Sequence, residues 1–558
     1  MTDMRRTLLW VVFTMSLVLL WDAWNRHNGQ PTLFGGAPRP AASAPAAGAA
    51  PAGVPAALLA PTGAVPAAVG AATPAPAAAA AAGERVEVST DLFKATFDSI
   101  GGSLVRLELL GFRDNVDRQR NVVLFDQTAK RLYLAQTGLI TAQPGLSLPT
   151  HLTPMTVQPG PRALPDGSNE LVLRFEGQTD TGVKLAKTYT LRRGSYTIGV
   201  RHEVVNASAA AVSPQLYLQL ARDGYPPEGE SSFYVTFTGP AMYTDQGKFQ
   251  KIDFKDIDKG KTNHVSQAND GWVAMVQHYF ASAWLLKDNA PREFRTAKVA
   301  DNHYTVAMVT PLGELAPGST KVHEATLFAG PQEENKLAAL APGLELVKDY
   351  GWLTMLAKPL FWLLDQLHRV IGNWGWAIVA LVVLLKVAFY WLNASAYRSM
   401  AKMKAINPRV MELRERHKDD PQKMQQEMMR IYREEKVNPL GSCLPILVQM
   451  PFFIALYWVL LSSVEMRNAP WIGWITDLAD KDPWFILPIL MTASSLFQVW
   501  LNPTPPDPLQ AKMMWIMPLA FSFMFFFFPA GLVLYWLTNN ILSIAQQWFI
   551  NKQLGVQR

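Results

Sequence analysis

Lys386 is the residue whose surroundings call most plainly for chemistry. It interrupts the apolar run Ala377-Ile-Val-Ala-Leu-Val-Val-Leu-Leu-Lys-Val-Ala-Phe389. If one helix covers Trp374–Tyr397, the ammonium sits twelve residues, about 18 Å, from both Trp374 and Arg398, while a lysine stem reaches roughly 6 Å. A cation held at that depth in a membrane costs about 2.5–3.5 kcal/mol on insertion scales unless water or a partner solvates it. The middles of the other apolar runs contain no Asp or Glu, which excludes an ion pair at that depth. Two readings remain: a water-filled cavity, or an ammonium tucked against backbone carbonyls. Gln449, Thr492, Ser494, Ser495, Gln498, Ser522, Thr538, Asn539 and Asn540 lie in neighbouring apolar runs. Singly, such residues join helices; gathered around one unpaired cation they favour the wet cavity. Phe521–Phe528, apart from Ser522, and Pro451-Phe-Phe453 offer the opposite kind of surface, slick and apolar.

No other chemistry is legible. His202, His278 and His303 are scattered without metal-ligand spacing, and Asp91, Asp98 and Glu108 are isolated acids on turns or strand faces. The single cysteine, Cys443, excludes a disulfide framework and a zinc cluster. There is no nucleotide loop and no nucleophile with a base, so neither a cofactor nor an enzyme activity is expected. The net charge of +6 is concentrated beside apolar runs, the pattern of a membrane protein and not of direct nucleic-acid recognition.

The elements that must position Lys386 follow from hydropathy. Apolar spans are expected at 374–397, 440–464, 484–501, 513–528 and 532–549, each near the roughly 20 residues a bilayer needs. Ahead of them, 358–370 mixes Leu360, Phe361, Leu363, Leu364 and Leu367 with Asp365, His368 and Arg369, which predicts an amphipathic interfacial helix. Residues 346–558 form this membrane unit. Residues 1–27 begin with Arg5-Arg6 and an apolar stretch from Leu8 to Trp21, read as an uncleaved anchor or a cleaved signal, the anchor being favoured. Residues 28–83 are an Ala/Pro-rich linker. Residues 84–345 show alternation at Leu171–Phe175, Leu216–Leu220 and Phe233–Phe237, and a hairpin pattern where Lys187–Leu191 meets Tyr196–Val204 across Arg193-Gly194. That predicts a β-sandwich.

Loop charges orient the spans. Arg398–Lys436 carries eleven Lys or Arg against seven acids, whereas Met466–Pro483 holds only Arg467 and Lys481 among Asp477, Asp480 and Asp482. The first loop is therefore expected in the cytoplasm and the second outside, with both termini cytoplasmic and the sandwich external. Within 398–436, Met403, Ile406, Val410 and Leu413, then Met424, Met428 and Ile431, predict a helical hairpin. Asp420-Pro421 is placed to start its second arm. It reads either as a spacer or as a Met-rich surface for apolar segments.

Several stretches resemble one family. Asn438-Pro-Leu-Gly-Ser-Cys-Leu-Pro-Ile-Leu-Val-Gln-Met-Pro-Phe-Phe453, Phe485-Ile-Leu-Pro-Ile-Leu-Met491, Phe528-Pro-Ala-Gly-Leu-Val-Leu-Tyr-Trp536 and Trp272-Val-Ala-Met-Val-Gln-His-Tyr-Phe280 are similar to the YidC membrane protein insertases. The resemblance implies a multi-span α-helical membrane protein with a periplasmic β-sandwich domain. Five core helices would surround a hydrophilic groove open to cytoplasm and lipid, and an N-terminal anchor helix would precede them. The family's groove cation, usually arginine, falls on Lys386, and its groove glutamine on Gln449. The implied client exit path passes Phe453, Met491, Met524, Tyr535 and Trp536. Tyr390, Tyr397 and Asp507 are the residues assigned to ribosome or other cytoplasmic contact. The implied partners are nascent integral membrane proteins, the lipid bilayer, the translating ribosome and the Sec translocon (SecYEG with SecD and SecF). The function implied is an insertase and chaperone of the bacterial inner membrane. A polytopic solute transporter or channel is the alternative; it calls for repeat symmetry and a charged path through the membrane, and neither is legible.

Overall fold

The computed structural model describes residues 83–230, 236–417, 420–435, 444–502 and 508–553. The expected anchor, nearly all of the linker, most of the strand expected at Phe233–Phe237, Cys443 and Asp507 lie outside the described residues.

Among the described residues, eighteen strands form two nine-stranded antiparallel sheets packed face to face. Alternation fixes which face points in: in Glu170–Gln178, Leu171, Leu173 and Phe175 are buried while Glu170 and Val172 are exposed. The hairpin expected from sequence is Val183–Arg192 paired with Thr197–Asn206, with Leu191 opposite Ile198. Its turn needs a left-handed residue, and Gly194 supplies φ +68°. Phe97, Phe175 and Tyr189 pack ring against ring between the sheets. Each such side chain contributes roughly 1.5–3 kcal/mol of burial. A short helix, α1 (Phe254–Asp258), sets Phe254 against Tyr304 at the edge of the first sheet.

One inward position of that hairpin is a lysine. Lys187 is fully buried, and its Nζ donates to the carbonyls of Gly101 and Thr137, both at 2.6 Å. Burial pushes its ammonium down from 10.5 to about 7. His202, beside it through Thr137, is held well below its usual range by the same burial and does not charge near neutrality. Between pH 7 and 10.5 the unfolded chain therefore binds more protons at Lys187 than the folded one, so stability rises with pH. The cost is complete below pH 7. Above pH 10 the buried Tyr133, pushed up to about 12, acts in the opposite direction. Denaturant midpoints of the full chain in detergent are expected to rise from pH 7.5 to 9.5, by at most about 1.4 kcal/mol per pH unit. Lys187→Met should flatten that slope; an unchanged slope would mean the lysine is charged in the fold.

Strands Trp272–Gln277 and Phe280–Leu285 are buried along their whole length. A sheet reads this way when both faces are covered. Here α2 (Glu334–Leu340) and the turn Leu344–Val347 lay Leu337, Leu344 and Val347 over Trp272, Ala274 and Ala283 on the outer face.

The second half of the chain is helical. Helix α3 (Thr354–Ile371) buries Ala357, Leu360, Phe361 and Leu364 and leaves Met355, Trp362 and Val370 exposed. It ends at Gly372 (φ +74°), whose N–H returns to the His368 carbonyl. The next residue, Asn373, caps α4 (Trp374–Ala388) by accepting from the Trp376 N–H at 3.1 Å. Gly375 is needed for packing, since a Cβ there would lie 2.2 Å from the Trp471 ring.

The continuous span expected over 374–397 is broken. At Phe389 the backbone leaves the helix (ψ 10°), and α5 (Tyr390–Arg416) departs at 68° to α4. The Phe389 ring is held edge-on against Phe452 at 5.1 Å. Lys386 thus lies in the last turn of its helix and not at the middle of a long one. There the unpaired carbonyls of the helix end favour a cation.

Helix α6 (Pro421–Glu434) returns beside α5, capped by Asp420 accepting from the Lys423 N–H and tied by an Arg409–Glu435 ion pair at 2.7 Å. Then come α7 (Leu444–Ser462), α8 (Ile486–Leu501), α9 (Pro508–Phe525) and α10 (Ala530–Gln553). No single described helix is long and apolar enough to cross a membrane; α4 with Tyr390–Met403 passes by length and composition as a bent pair.

The two halves are joined by more than the chain. Val464, just past α7, is buried within the hydrophobic cluster of the sandwich. His278 Nε2 lies 3.0 Å from the Leu461 carbonyl, and the Arg467 guanidinium sits over the rings of Tyr279 and Phe280. Arg118 pairs with Asp480, Lys348 with Glu465 at 2.9 Å, and the Ser462 hydroxyl donates to the Asp349 carbonyl. The loop between α7 and α8 is therefore on the same side as the sandwich.

Candidate functional site

At the bend between α4 and α5 an open cavity, with ≈ 430 Å³ of empty space including the solvent at its mouth, is lined by Val382, Leu385, Lys386, Phe389, Gln449, Phe452, Phe453, Tyr535 and Asn539. It brings together five of the residues singled out in the sequence: Lys386, Gln449, Phe453, Tyr535 and Asn539. Lys386 Nζ donates to Ser543 Oγ at 2.7 Å, and that hydroxyl donates in turn to the Asn539 carbonyl one helical turn back, at 2.8 Å. Gln449 Nε2 reaches Asn393 Oδ1 at 2.5 Å. Asn393 is buried, and its Nδ2 finds no partner among the described residues. Further along α10, Asn540 donates to Ser494 at 2.9 Å. Among the described residues the site thus has one cation, a set of amides and hydroxyls, and no carboxylate within its lining.

The other wall is aromatic. Phe453 stacks on Trp536 with centroids 5.7 Å apart and an interplanar angle of 16°, and it meets Tyr535 at the same distance. Phe525 and Phe528 close round the far side of Trp536. Met491 and Met524 are half-buried against the same hydrophobic cluster but are not among the cavity's lining residues. Of the neighbouring polar groups, Thr492 and Ser522 bond to carbonyls of their own helices.

Tyr390 is exposed at the start of α5. Tyr397 is half-buried, with its hydroxyl directed at Ser543. Sequence reading missed Ser543 and Asn393. The signal available for Ser543 was position alone, one turn after Asn539; Asn393 had none, since the break at Phe389 one turn before it is not marked in the sequence. Among the described residues no group of three or more His, Cys, Asp or Glu is arranged to hold a metal.

Outside this interior α4, the start of α5 and α8–α10 present apolar side chains. Val387, Trp391, Ile489, Leu490, Ile516, Leu519, Phe521, Phe523 and Ile541 are all exposed. A helical unit that is polar within and apolar over its surface is built for lipid, since soluble proteins keep exposed apolar patches small. Fold and site together define a membrane protein with a polar cavity facing an aromatic wall in its helical half and a β-sandwich in the other.

Comparison with known proteins agrees. Residues 85–363 match the YidC periplasmic domain model, and residues 366–557 match the 60Kd inner membrane protein model. The chain is 57% identical over 557 residues to "Membrane protein insertase YidC" of Cupriavidus taiwanensis, covering 99% of this chain and 98% of that one. It is 54% identical to the protein of that name from Janthinobacterium sp., over 99% of this chain and 100% of the relative. Against Bordetella pertussis the identity is 53%, with 100% and 99% covered. A crystal structure of an active YidC insertase is 18% identical, with a TM-score of 0.38 over 83% of this chain and 94% of that one, too slight a likeness to add to the case. The chain belongs to the YidC family. It is accordingly an inner-membrane protein whose β-sandwich is a periplasmic domain.

Proposed function

We propose that this protein is a membrane protein insertase and chaperone that works through the cavity at Lys386. The observation that carries the reading is the pairing of one cation with an aromatic wall in the same cavity. A client's polar tail enters the hydrated side, where Lys386, Gln449 and Asn539 lower the cost of carrying it partway across. Its apolar segment leaves along Phe453, Tyr535 and Trp536, with Met491 and Met524 extending that surface toward lipid. Transfer of apolar area to lipid drives the step, at roughly 25 cal/mol per Å². The names of the relatives, each a membrane protein insertase, support the same reading.

In this reading the chain has six spans, counting an N-terminal anchor, and both termini are cytoplasmic. The α5–α6 hairpin and the loop holding Asp507 meet the translating ribosome, with Tyr390 on the cytoplasmic surface. Clients arrive directly or from the Sec translocon, with SecD and SecF beside the periplasmic domain. The decisive experiment reconstitutes the pure protein in liposomes and follows both client insertion and ion leakage. Insertion without leakage supports the insertase; leakage or solute flux without insertion favours the channel or transporter reading.

A further inference from the structure

We infer that Ser543 is the positioning residue of the cavity's cation, acting through Lys386 and not by touching the client. The inference rests on the insertase reading above. A serine hydroxyl has one hydrogen to donate and two lone pairs. The Ser543 hydrogen is taken by the Asn539 carbonyl at 2.8 Å, so the oxygen presents only lone pairs to the Lys386 ammonium at 2.7 Å. The two bonds run in one direction, from ammonium to hydroxyl to backbone, and the Tyr397 hydroxyl, directed at the same oxygen, can take its second lone pair.

This polarity matters because a lysine stem is otherwise loose. Four rotatable bonds let a free ammonium withdraw toward the nearest water or helix end, and freezing them costs side-chain entropy. Ser543 is itself buried and fixed on α10, the helix that also carries Tyr535 and Trp536. It therefore sets the charge at a constant place relative to the aromatic wall. Two of the three ammonium hydrogens stay available to a client carboxylate in the cavity, while the third is used for position.

The rival explanation is that Ser543 merely ties α10 to α4. The two differ in what they spare. A structural tie, once removed, harms every client and lowers stability. A positioning bond, once removed, harms clients that need the charge and leaves the rest. Serine to alanine within a helix favours the helix slightly, so α10 should be intact in the variant.

The test uses full-length protein in proteoliposomes with paired clients that differ only in an acidic or a neutral leading tail. Ser543→Ala is expected to lower acidic-tail insertion about fivefold, roughly 1 kcal/mol, and to change neutral-tail insertion less than twofold. Ser543→Thr, which keeps the hydroxyl, should restore it. In the Lys386→Ala background Ser543→Ala should cost nothing further, because the two act as one unit. A second readout does not depend on insertion: mass spectrometry of Lys386 after brief amine labelling should show faster modification in Ser543→Ala. Equal loss for both tails, additivity with Lys386→Ala, or unchanged labelling would each overturn the inference. A wild-type protein that inserts neither client would overturn the insertase reading instead, while the labelling result would still decide the role of Ser543.

Discussion

Lys386→Ala is expected to lower insertion of clients with acidic leading tails about 10- to 30-fold, and Lys386→Glu to lower it further. A carboxylate drawn to roughly 8 Å from the ammonium, at an effective dielectric of about 20, gains about 2 kcal/mol, which corresponds to the upper end of that range. Alanine removes the attraction and glutamate turns it to repulsion. Clients with neutral tails should lose far less, because Gln449 and Asn539 still keep the cavity polar. Lys386→Arg should be tolerated: it keeps the cation and can still donate to Ser543. The measurement is the same paired-client assay in proteoliposomes. If Lys386→Ala reduced both client types equally, the lysine would be holding helices together, and charge attraction would have to be abandoned.

The second large effect is expected at the other end of the molecule. Val464 belongs to the membrane half by sequence but to the sandwich by packing, at 1% exposure. Val464→Asp would place a carboxylate among apolar side chains with no partner provided, at a cost of about 3 kcal/mol or more. Val172→Asp is the control: a valine on the exposed face of a strand of the same sandwich, where an acid stays solvated. Thermal unfolding of the full chain in detergent should show a large drop for Val464→Asp and little change for Val172→Asp. Equal behaviour of the two would mean that the loop after α7 rests on the sandwich without completing its core.

Much of this architecture is legible in the sequence because its signals are local. Period-two alternation in Leu171–Phe175 gives a strand and its buried face together. Asp420-Pro421 marks a helix start by its own chemistry. Lys386 stands out because a charge in an apolar run must be solvated by something. Lys187 was legible in principle, since it shares the inward register of Leu185, Tyr189 and Leu191, yet a lysine is ordinarily taken to face water. The break at Phe389 carries no proline or glycine, so nothing short of the tertiary contact with Phe452 announces it. The sequence presented the outer domain as tethered through an Ala/Pro-rich linker. Its second attachment, through His278, Arg467 and Val464, joins residues far apart in the chain and leaves no periodic trace.

That second attachment also orders the making of the protein itself. The last strand of the sandwich ends at Pro331, and Val464 follows about 130 residues later, so a ribosome adding 5–20 residues per second reaches it roughly 7–25 s afterwards. During that interval the exported strands have a core with one place vacant. It is filled only when the residues just past α7 reach the sandwich. An α7 placed the wrong way round would leave Val464, Arg467 and Asp480 on the opposite side from their partners. Completion of the outer domain's core thus waits on a residue just past the end of α7, more than a hundred positions beyond the last strand.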